Sequence, residues 1–232
     1  MEKQKYAAIV LAAGSGKRMN SKVHKQYLII QDRPVLYYSL KAFEDSAVDE
    51  IVLVVGKGEE EFCRKEIVDK YGISKVKAIV EGGKERYHSV FEGLKQTSEA
   101  DYVLIHDGAR PFVNQDIIRR CMQEVQKYQA CVVGMPVKDT IKIADEEGYA
   151  KQTPDRKNVW MIQTPQTFSY ALIYEAYGEM LKTEDTAITD DAMVLERIKG
   201  KKSKLIEGSY RNIKITTPED LLIANVYLQH PE

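Results

Sequence analysis

Cysteine is scarce in this 232-residue chain. Cys63, Cys121 and Cys131 are the only three, and no two of them form a C-x-x-C pair. An odd, scattered set fits neither a disulfide framework nor a four-ligand zinc site; it suits a reducing compartment, so a cytoplasmic location is expected. The four histidines, His24, His88, His106 and His230, lack metal-ligand spacing and read as surface or packing residues. No apolar run approaches the ~20 residues of a membrane helix, so no membrane partner is expected. An excess of one charge is missing as well. Thirty-four Lys+Arg against 35 Asp+Glu leave −1, which argues against nucleic acid as a partner, because a binder of phosphate backbone carries a marked basic surplus. There is no G-x-S-x-G elbow, no Cys–His nucleophile pair and no Asp-x-Asp motif of the kind metal-dependent glycosyltransferases carry.

What remains is an ordinary globular composition, 44% apolar and 30% charged, of a length that points to one large domain over residues 1–232. Lys3 and Lys5 before the apolar Tyr6–Ala13 imitate a signal peptide in miniature; the shortness of the run and the basic loop after it favour a buried first strand. Ala7–Leu11, Ile51–Val55, Lys77–Val80, Tyr102–Ile105 and Cys131–Met135 are short Val- and Ile-rich runs, the pattern of strands buried on both faces. Helix-period stretches lie between them: Val35–Phe43, Glu59–Tyr71, Glu85–Gln96 and, after the N-cap Asn114, a stripe of Ile117, Ile118, Cys121, Met122 and Val125. Such alternation predicts an α/β fold, a mostly parallel sheet with helices on both faces and ligands at the carboxyl ends of the strands. Between Lys138 and Phe168 the period breaks, and Thr140–Ile143 with a Glu146-Glu-Gly148 turn reads as a β-arm, placed at 138–162. Helices follow from about Tyr170 and across Asp191–Ile198, then a strand near Asn212–Thr216. Thr217-Pro-Glu-Asp220 starts a last helix.

The first strand runs into Leu11-Ala-Ala-Gly-Ser-Gly-Lys-Arg-Met19, followed by Lys22, His24 and Lys25. Gly14 and Gly16 permit a tight turn whose bare N–H groups approach an anion, and Lys17, Arg18, Lys22 and Lys25 add charge. A phosphate cradle and a merely solvated basic loop are both compatible with this local sequence. The spacing fits neither a P-loop nor a dinucleotide fingerprint: Leu11 and Arg18 stand at required P-loop positions, and Met19 stands where the third glycine belongs. His106-Asp107-Gly108-Ala-Arg110-Pro111 ends the fourth strand. Asp107 suits a ribose hydroxyl or a metal ion and Arg110 an anionic substrate, with an Asp–Arg turn brace as the plainer alternative. Lys138-Asp-Thr140, Arg156 and Gln163-Thr-Pro-Gln166 form a third group; Lys214, alone on a late strand, carries little weight by itself.

Taken in order, these segments resemble the 2-C-methyl-D-erythritol 4-phosphate cytidylyltransferase family over about Ala7 to Leu228. The matching segments are Ala12-Ala-Gly-x-Gly-x-Arg-Met19, Lys25-Gln-Tyr-Leu28, Gly82-Gly83 with Arg86 and Ser89, His106–Pro111, Lys138-Asp-Thr140, Asp155-Arg156 with Trp160, Thr164-Pro-Gln166, Thr189-Asp190, and Asn212–Thr216 before Pro218-Glu-Asp220. The resemblance implies a Rossmann-like fold and transfer of the cytidylyl group of CTP to methylerythritol 4-phosphate, with magnesium and release of pyrophosphate. It gives the triphosphate to Ala12, Ala13, Gly14, Gly16, Lys17, Arg18 and Lys25, the cytosine to Gly82, Gly83 and Ser89, and the ribose and metal region to Asp107. Arg110, Thr164, Thr189 and Lys214, with Asp107, fall on the polyol-phosphate side, with Thr140 and Arg156 reaching it from the arm of a partner subunit in a homodimer. Arg18, Lys25 and Lys214 are the expected catalytic stabilisers. His24 departs from the family pattern, where proline commonly precedes this lysine, and its presence predicts a more mobile loop. Ribitol 5-phosphate cytidylyltransferase and a non-catalytic nucleotide sensor are the rival readings. The Asp155-Arg156 and Trp160 region favours the methylerythritol enzyme over the first, and the intact charge set argues against the second.

The implied chemistry needs this inventory. A phosphate monoester is already ionised near neutral pH, its second pKa being ~6, so the attack on CTP calls for positioning and positive charge rather than a base.

Overall fold

The computed structural model describes every residue except 1, 2, 15, 17, 18, 20–22, 184–186, 231 and 232. The chain begins with β1 (Tyr6–Ala12), then a 3₁₀ turn (Lys25–Tyr27), a small ribbon of β2 (Ile29–Ile30) and β3 (Arg33–Pro34), α1 (Val35–Glu44) and β4 (Glu50–Val55). It continues through α2 (Glu60–Cys63), β5 (Val76–Glu81), α3 (Arg86–Lys95), β6 (Tyr102–Asp107), α4 (Gln115–Tyr128) and β7 (Ala130–Pro136). The arm holds β8 (Ile143–Ala144) and β9 (Ala150–Gln152); β10 (Trp160–Ser169), α5 (Tyr170–Met180), α6 (Asp191–Lys199), β11 (Lys204–Glu207) and α7 (Pro218–Gln229) complete the chain.

Seven strands form one sheet in the order β11-β7-β10-β6-β1-β4-β5, in which only β10 runs antiparallel to its neighbours. Side chains alternate across β1, as a strand requires. Ala8, Val10 and Ala12 enter one core with Leu36 and Leu40 of α1 and Ile117 and Cys121 of α4. Ala7 and Ile9 enter the other with Val90 and Leu94 of α3, Ile173 and Tyr177 of α5, and Leu195 of α6. The doubly wound expectation therefore holds, with helices on both faces. From β1 the chain steps outward to β4 and β5 and returns to β6 on the opposite side of β1, so the order reverses at the carboxyl ends of β1 and β6. That reversal point is where a sheet of this kind leaves a crevice.

Three expectations need correction. The stretch Asn212–Thr216 forms no strand; Ile215 N–H reaches Ala109 C=O at 2.8 Å, which ties it across the turn after β6, and the late strand is β11 instead, parallel to β7 at one edge of the sheet. Trp160–Ser169, read as part of an excursion, is a central strand. Its polar run and Pro165 hid it, and the register slips between Ile162 and Gln166, where an irregular ladder spares Pro165 the N–H it lacks. The helix expected over Glu59–Tyr71 is one α-turn that widens into a π-type stretch, Arg64–Asp69, with Lys70 N–H bonding Lys65 C=O. The arm is a hairpin as expected: Ile143 pairs with Gln152, and Asp145 Oδ1 accepts from the N–H groups of Glu147 and Tyr149.

Gly93 of α3 marks the closest approach of helix to sheet. A Cβ there would lie 2.5 Å from Ile9 Cγ2 and 3.2 Å from Val54 Cγ2. Ala is intrinsically the better helix former by ~1 kcal/mol, yet overpacking outweighs that gain, so Gly93→Ala is expected to lose about 1–3 kcal/mol in a urea titration.

Candidate active site

The end of β6 carries the central group. Asp107, 7% exposed, has its Oδ2 2.9 Å from Lys214 Nζ and 3.5 Å from Arg110 Nε, while Oδ1 faces Arg86 Nε at 3.6 Å. Burial alone would raise the carboxyl pKa; the charges of Lys214, Arg86 and Arg110 win and hold it far below the usual carboxylate range. Asp107 is therefore ionised at any physiological pH. Arg86 also meets Asp191 in a bidentate pair, 2.8 Å at each oxygen, and Tyr177 O–H donates to the same carboxylate at 2.5 Å. Burial works against the Arg86 charge, but Asp191 and Asp107 outweigh it and hold the guanidinium pKa above its ordinary value.

A neutral histidine braces the turn from Asp107 to Arg110. His106 Nε2 lies 3.2 Å from Arg110 C=O, which can only accept, so the neutral ring carries its proton there. Nδ1 then accepts from Thr164 O–H at 3.0 Å, while Thr164 Oγ1 accepts from Asp107 N–H at 3.0 Å. Burial drives the His106 pKa down to about 4. The Arg110 side chain in turn donates to Asn212 C=O at 2.8 Å, and buried Asn212 donates to Gln163 and to Thr164 C=O. Gln166 ties β10 to the α6 cap: its Nε2 donates to Asp190 Oδ2 and its Oε1 accepts from Ala192 N–H.

Two adjoining hollows, of about 310 and 170 Å³, share Arg86, Asp107 and Lys214. The first adds Arg110, Thr164, Gln166, Thr189 and Asp190, the second Gly14, Lys25 and Gln26. Larger hollows lie elsewhere; this pair sits on the switch point, with convergent charge. Gly14, Lys25, Asp107, Arg110, Thr164, Thr189 and Lys214, all singled out from the sequence, are thus brought together. Gly16 (φ +62°) lies against Lys25, since a Cβ there would be 3.2 Å from its Cγ. Gly82 abuts Ala13 and Ser89, and Gly83 N–H donates to Ser89 Oγ, so the second glycine pair borders the first loop. Ala12 is buried at the end of β1. Lys17, Arg18 and Lys22 lie outside the described residues. Thr140 and Arg156 are exposed on the arm and line neither hollow, Arg156 donating instead to Lys138 C=O.

The family model of IspD, 2-C-methyl-D-erythritol 4-phosphate cytidylyltransferase, matches residues 6–230. The chain belongs to the 2-C-methyl-D-erythritol 4-phosphate cytidylyltransferase family. It is 54% identical over 224 residues to the cytidylyltransferase of that name from Lachnospira eligens, covering 96% of this chain and 98% of the relative. It is 50% identical over 226 residues to the one from Lachnoclostridium phytofermentans, covering 97% of each. A crystal structure of 4-diphosphocytidyl-2C-methyl-D-erythritol synthase from Anaerococcus prevotii superposes with a TM-score of 0.86 at 38% identity, covering 98% of this chain and 97% of that one.

Against this cytidylyltransferase background two sequence readings change. Arg86 was matched but given no task; it touches both Asp107 and Asp191, and no local spacing announces a partner 105 residues away. The near balance of charge also reads differently, since three of the acids that offset the basic residues, Asp107, Asp190 and Asp191, stand in the site itself.

The neutral His106 has a consequence for stability. Its folded pKa of about 4 lies below the ~6.5 of an unfolded chain, so the unfolded state binds the proton first. Stability is complete above pH ~6.5 and falls as pH drops toward 4. We expect a loss of about 2–3 kcal/mol between pH 7 and 4.5 in denaturant titrations, and a flatter profile in His106→Gln, which has no proton to gain.

Proposed function

We propose that this site joins CTP to 2-C-methyl-D-erythritol 4-phosphate, giving 4-diphosphocytidyl-2-C-methyl-D-erythritol and pyrophosphate. The convergence of Arg86, Arg110 and Lys214 on one ionised carboxylate at the switch point, with Lys25 lining the same hollow, carries the reading. A phosphate monoester oxygen of the polyol attacks the α-phosphorus of CTP, and the bond to the β-phosphate oxygen breaks, its electron pair leaving with pyrophosphate. The nucleophile is already an anion, its second pKa being ~6, so no side chain removes a proton. The work is electrostatic: two anions are brought together, and charge grows on the five-coordinate phosphorus and on the departing oxygen.

Gly14, Gly16, Lys17, Arg18 and Lys25, with the backbone of Ala12 and Ala13, hold the triphosphate; Gly82, Gly83 and Ser89 receive the cytosine. Arg110, Thr164, Thr189 and Lys214 hold the polyol phosphate. Arg18, Lys25 and Lys214 stabilise the transition state. Asp107 meets the ribose and fits magnesium: one carboxylate that stays ionised, completed by phosphate oxygens, is the way this cation usually binds, and among the described residues no cluster of three His, Cys, Asp or Glu offers an all-protein cage. When bound, the cation neutralises phosphate charge. The exposed arm residues Ile141, Ile143 and Tyr149, the last 70% exposed, support a homodimer in which Thr140 and Arg156 reach the partner's polyol phosphate. The three scattered, free cysteines support a cytoplasmic location.

Pyrophosphate release from CTP tests the reaction. Release with methylerythritol 4-phosphate is expected; release with ribitol 5-phosphate alone would move the substrate assignment, and nucleotide binding without any release would leave only a sensor. Lys25→Ala and Lys214→Ala should each lower kcat by two or more orders of magnitude, the loss of a contact worth ~3 kcal/mol in the transition state. Arg156→Ala should raise KM for the polyol phosphate and leave that for CTP near the parent value, because its contact holds the substrate in ground and transition states alike.

A further inference from the structure

Beneath the 3₁₀ turn that carries Lys25 stands a carboxylate the proposed mechanism does not use. Glu59 Oε2 accepts from Tyr27 O–H at 2.7 Å and from Gly56 N–H at 3.0 Å, while Oε1 lies 2.7 Å from His24 Nδ1. The carboxylate sits against bare backbone, since a Cβ on Gly56 would come within 2.6 Å of Oε2. Its side chain is 19% exposed and that of His24 39%, so the bonds to Tyr27 and Gly56 are the better shielded from bulk water. Tyr27 is packed from two more sides, by the edge of Phe62 and by Cys63 Sγ at 3.1 Å. Burial pushes the Cys63 thiol up to about 11 and the Tyr27 phenol higher still, so Tyr27 stays a donor. Gln26 is anchored separately, its amide donating to Ala12 C=O at the end of β1. Gln26 and Tyr27 are thereby pinned by hydrogen bonds, His24 stands within ion-pair distance of Glu59 without hydrogen-bond geometry, and Lys25, between them, lines the hollow with Gly14, Asp107 and Lys214. His24 itself has φ −60°, the value a proline ring would fix, and ψ 139°, which proline tolerates, with a side-chain contact where a ring would otherwise act.

We propose that Glu59 is the positioning residue for Lys25, gripping the turn through His24 and Tyr27 so that the ammonium is directed before CTP arrives. The inference rests on the reading of Lys25 as a triphosphate contact. A flexible lysine on an unrestrained loop loses backbone and side-chain freedom when it meets its ligand; a loop already held does not, and the difference appears in the use of CTP and not of the polyol.

The experiment is steady-state kinetics with each substrate varied in turn, with melting curves, on Glu59→Ala, Glu59→Gln, His24→Ala, His24→Pro and Lys25→Ala. Glu59→Ala is expected to lower kcat/KM for CTP about tenfold, the effect of one lost charge-assisted anchor, with KM for the polyol phosphate within about twofold of the parent. Glu59→Gln should recover most of the loss, since its amide oxygen still accepts from Tyr27 and Gly56. His24→Ala should lose about threefold on CTP and His24→Pro should restore it, a rescue that a merely structural histidine would not show. CTP kinetics within about twofold of the parent in Glu59→Ala and His24→Ala, with Lys25→Ala crippled, would overturn the clamp and spare the site. Equal losses for both substrates that track a fall in melting temperature would overturn it too. An unaffected Lys25→Ala would overturn the triphosphate reading itself. Should Glu59→Ala fail to fold, the His24 pair decides by the same readout.

Discussion

Asp107 is one negative charge, buried at the end of β6 and faced by Lys214, Arg110 and Arg86. An ion taken out of water costs several kcal/mol unless it is paired and hydrogen-bonded, so this carboxylate demands its cations and the cations justify its burial. Each comes from a different part of the chain: Arg86 from the start of α3, Arg110 from the turn after β6, Lys214 from the segment before α7. The fold brings them together because β6 lies beside β1 at the point where the strand order reverses. With Asp191 paired to Arg86, the cations still outnumber the acids that touch them, and the surplus is available to phosphate.

Holding that surplus in place takes a polar core behind it. β10 runs against the direction of its neighbours and presents Gln163, Thr164 and Gln166 where a purely structural strand would present valine or isoleucine. Thr164 links the backbone of Asp107 to His106, His106 reaches the carbonyl of Arg110, and Asn212 fastens the Lys214 segment to the same strand. A buried network of this type is costly if half satisfied and rigid when complete. The chemistry calls for rigidity, since a transition state that differs from its ground state mainly in charge is favoured by dipoles and cations that need not move.

The near-zero net charge and the cationic site are compatible for the same reason. Long polyanions are drawn by a surplus spread over a surface, whereas a nucleoside triphosphate and a sugar phosphate need a few charges converging in a crevice. Glu59 shows that the acids offsetting those charges are not all idle on the surface; one of them grips the turn that aims a lysine.

Periodicity carried the alternation of strands and helices, residue type the caps at Asn114 and Thr217, and a break in the period the hairpin arm, because local hydrogen bonding and the burial of apolar faces are written in neighbouring residues. The glycine loop, His106–Pro111 and Lys214 were visible as residues, yet Lys214 looked like any solvated lysine and Asp107 like one half of a turn. Trp160–Ser169 escaped as a strand because residues that serve a site break the apolar alternation by which strands are recognised. The parallel edge strand β11 and the unpaired course of Asn212–Thr216 were equally hidden, since short segments choose partners by what the rest of the sheet leaves open. Most of the elements and the charged inventory are legible along the chain; that Arg86, Arg110 and Lys214 meet at Asp107 is settled only in the folded molecule, because a buried charge selects its partners in space and not along the chain.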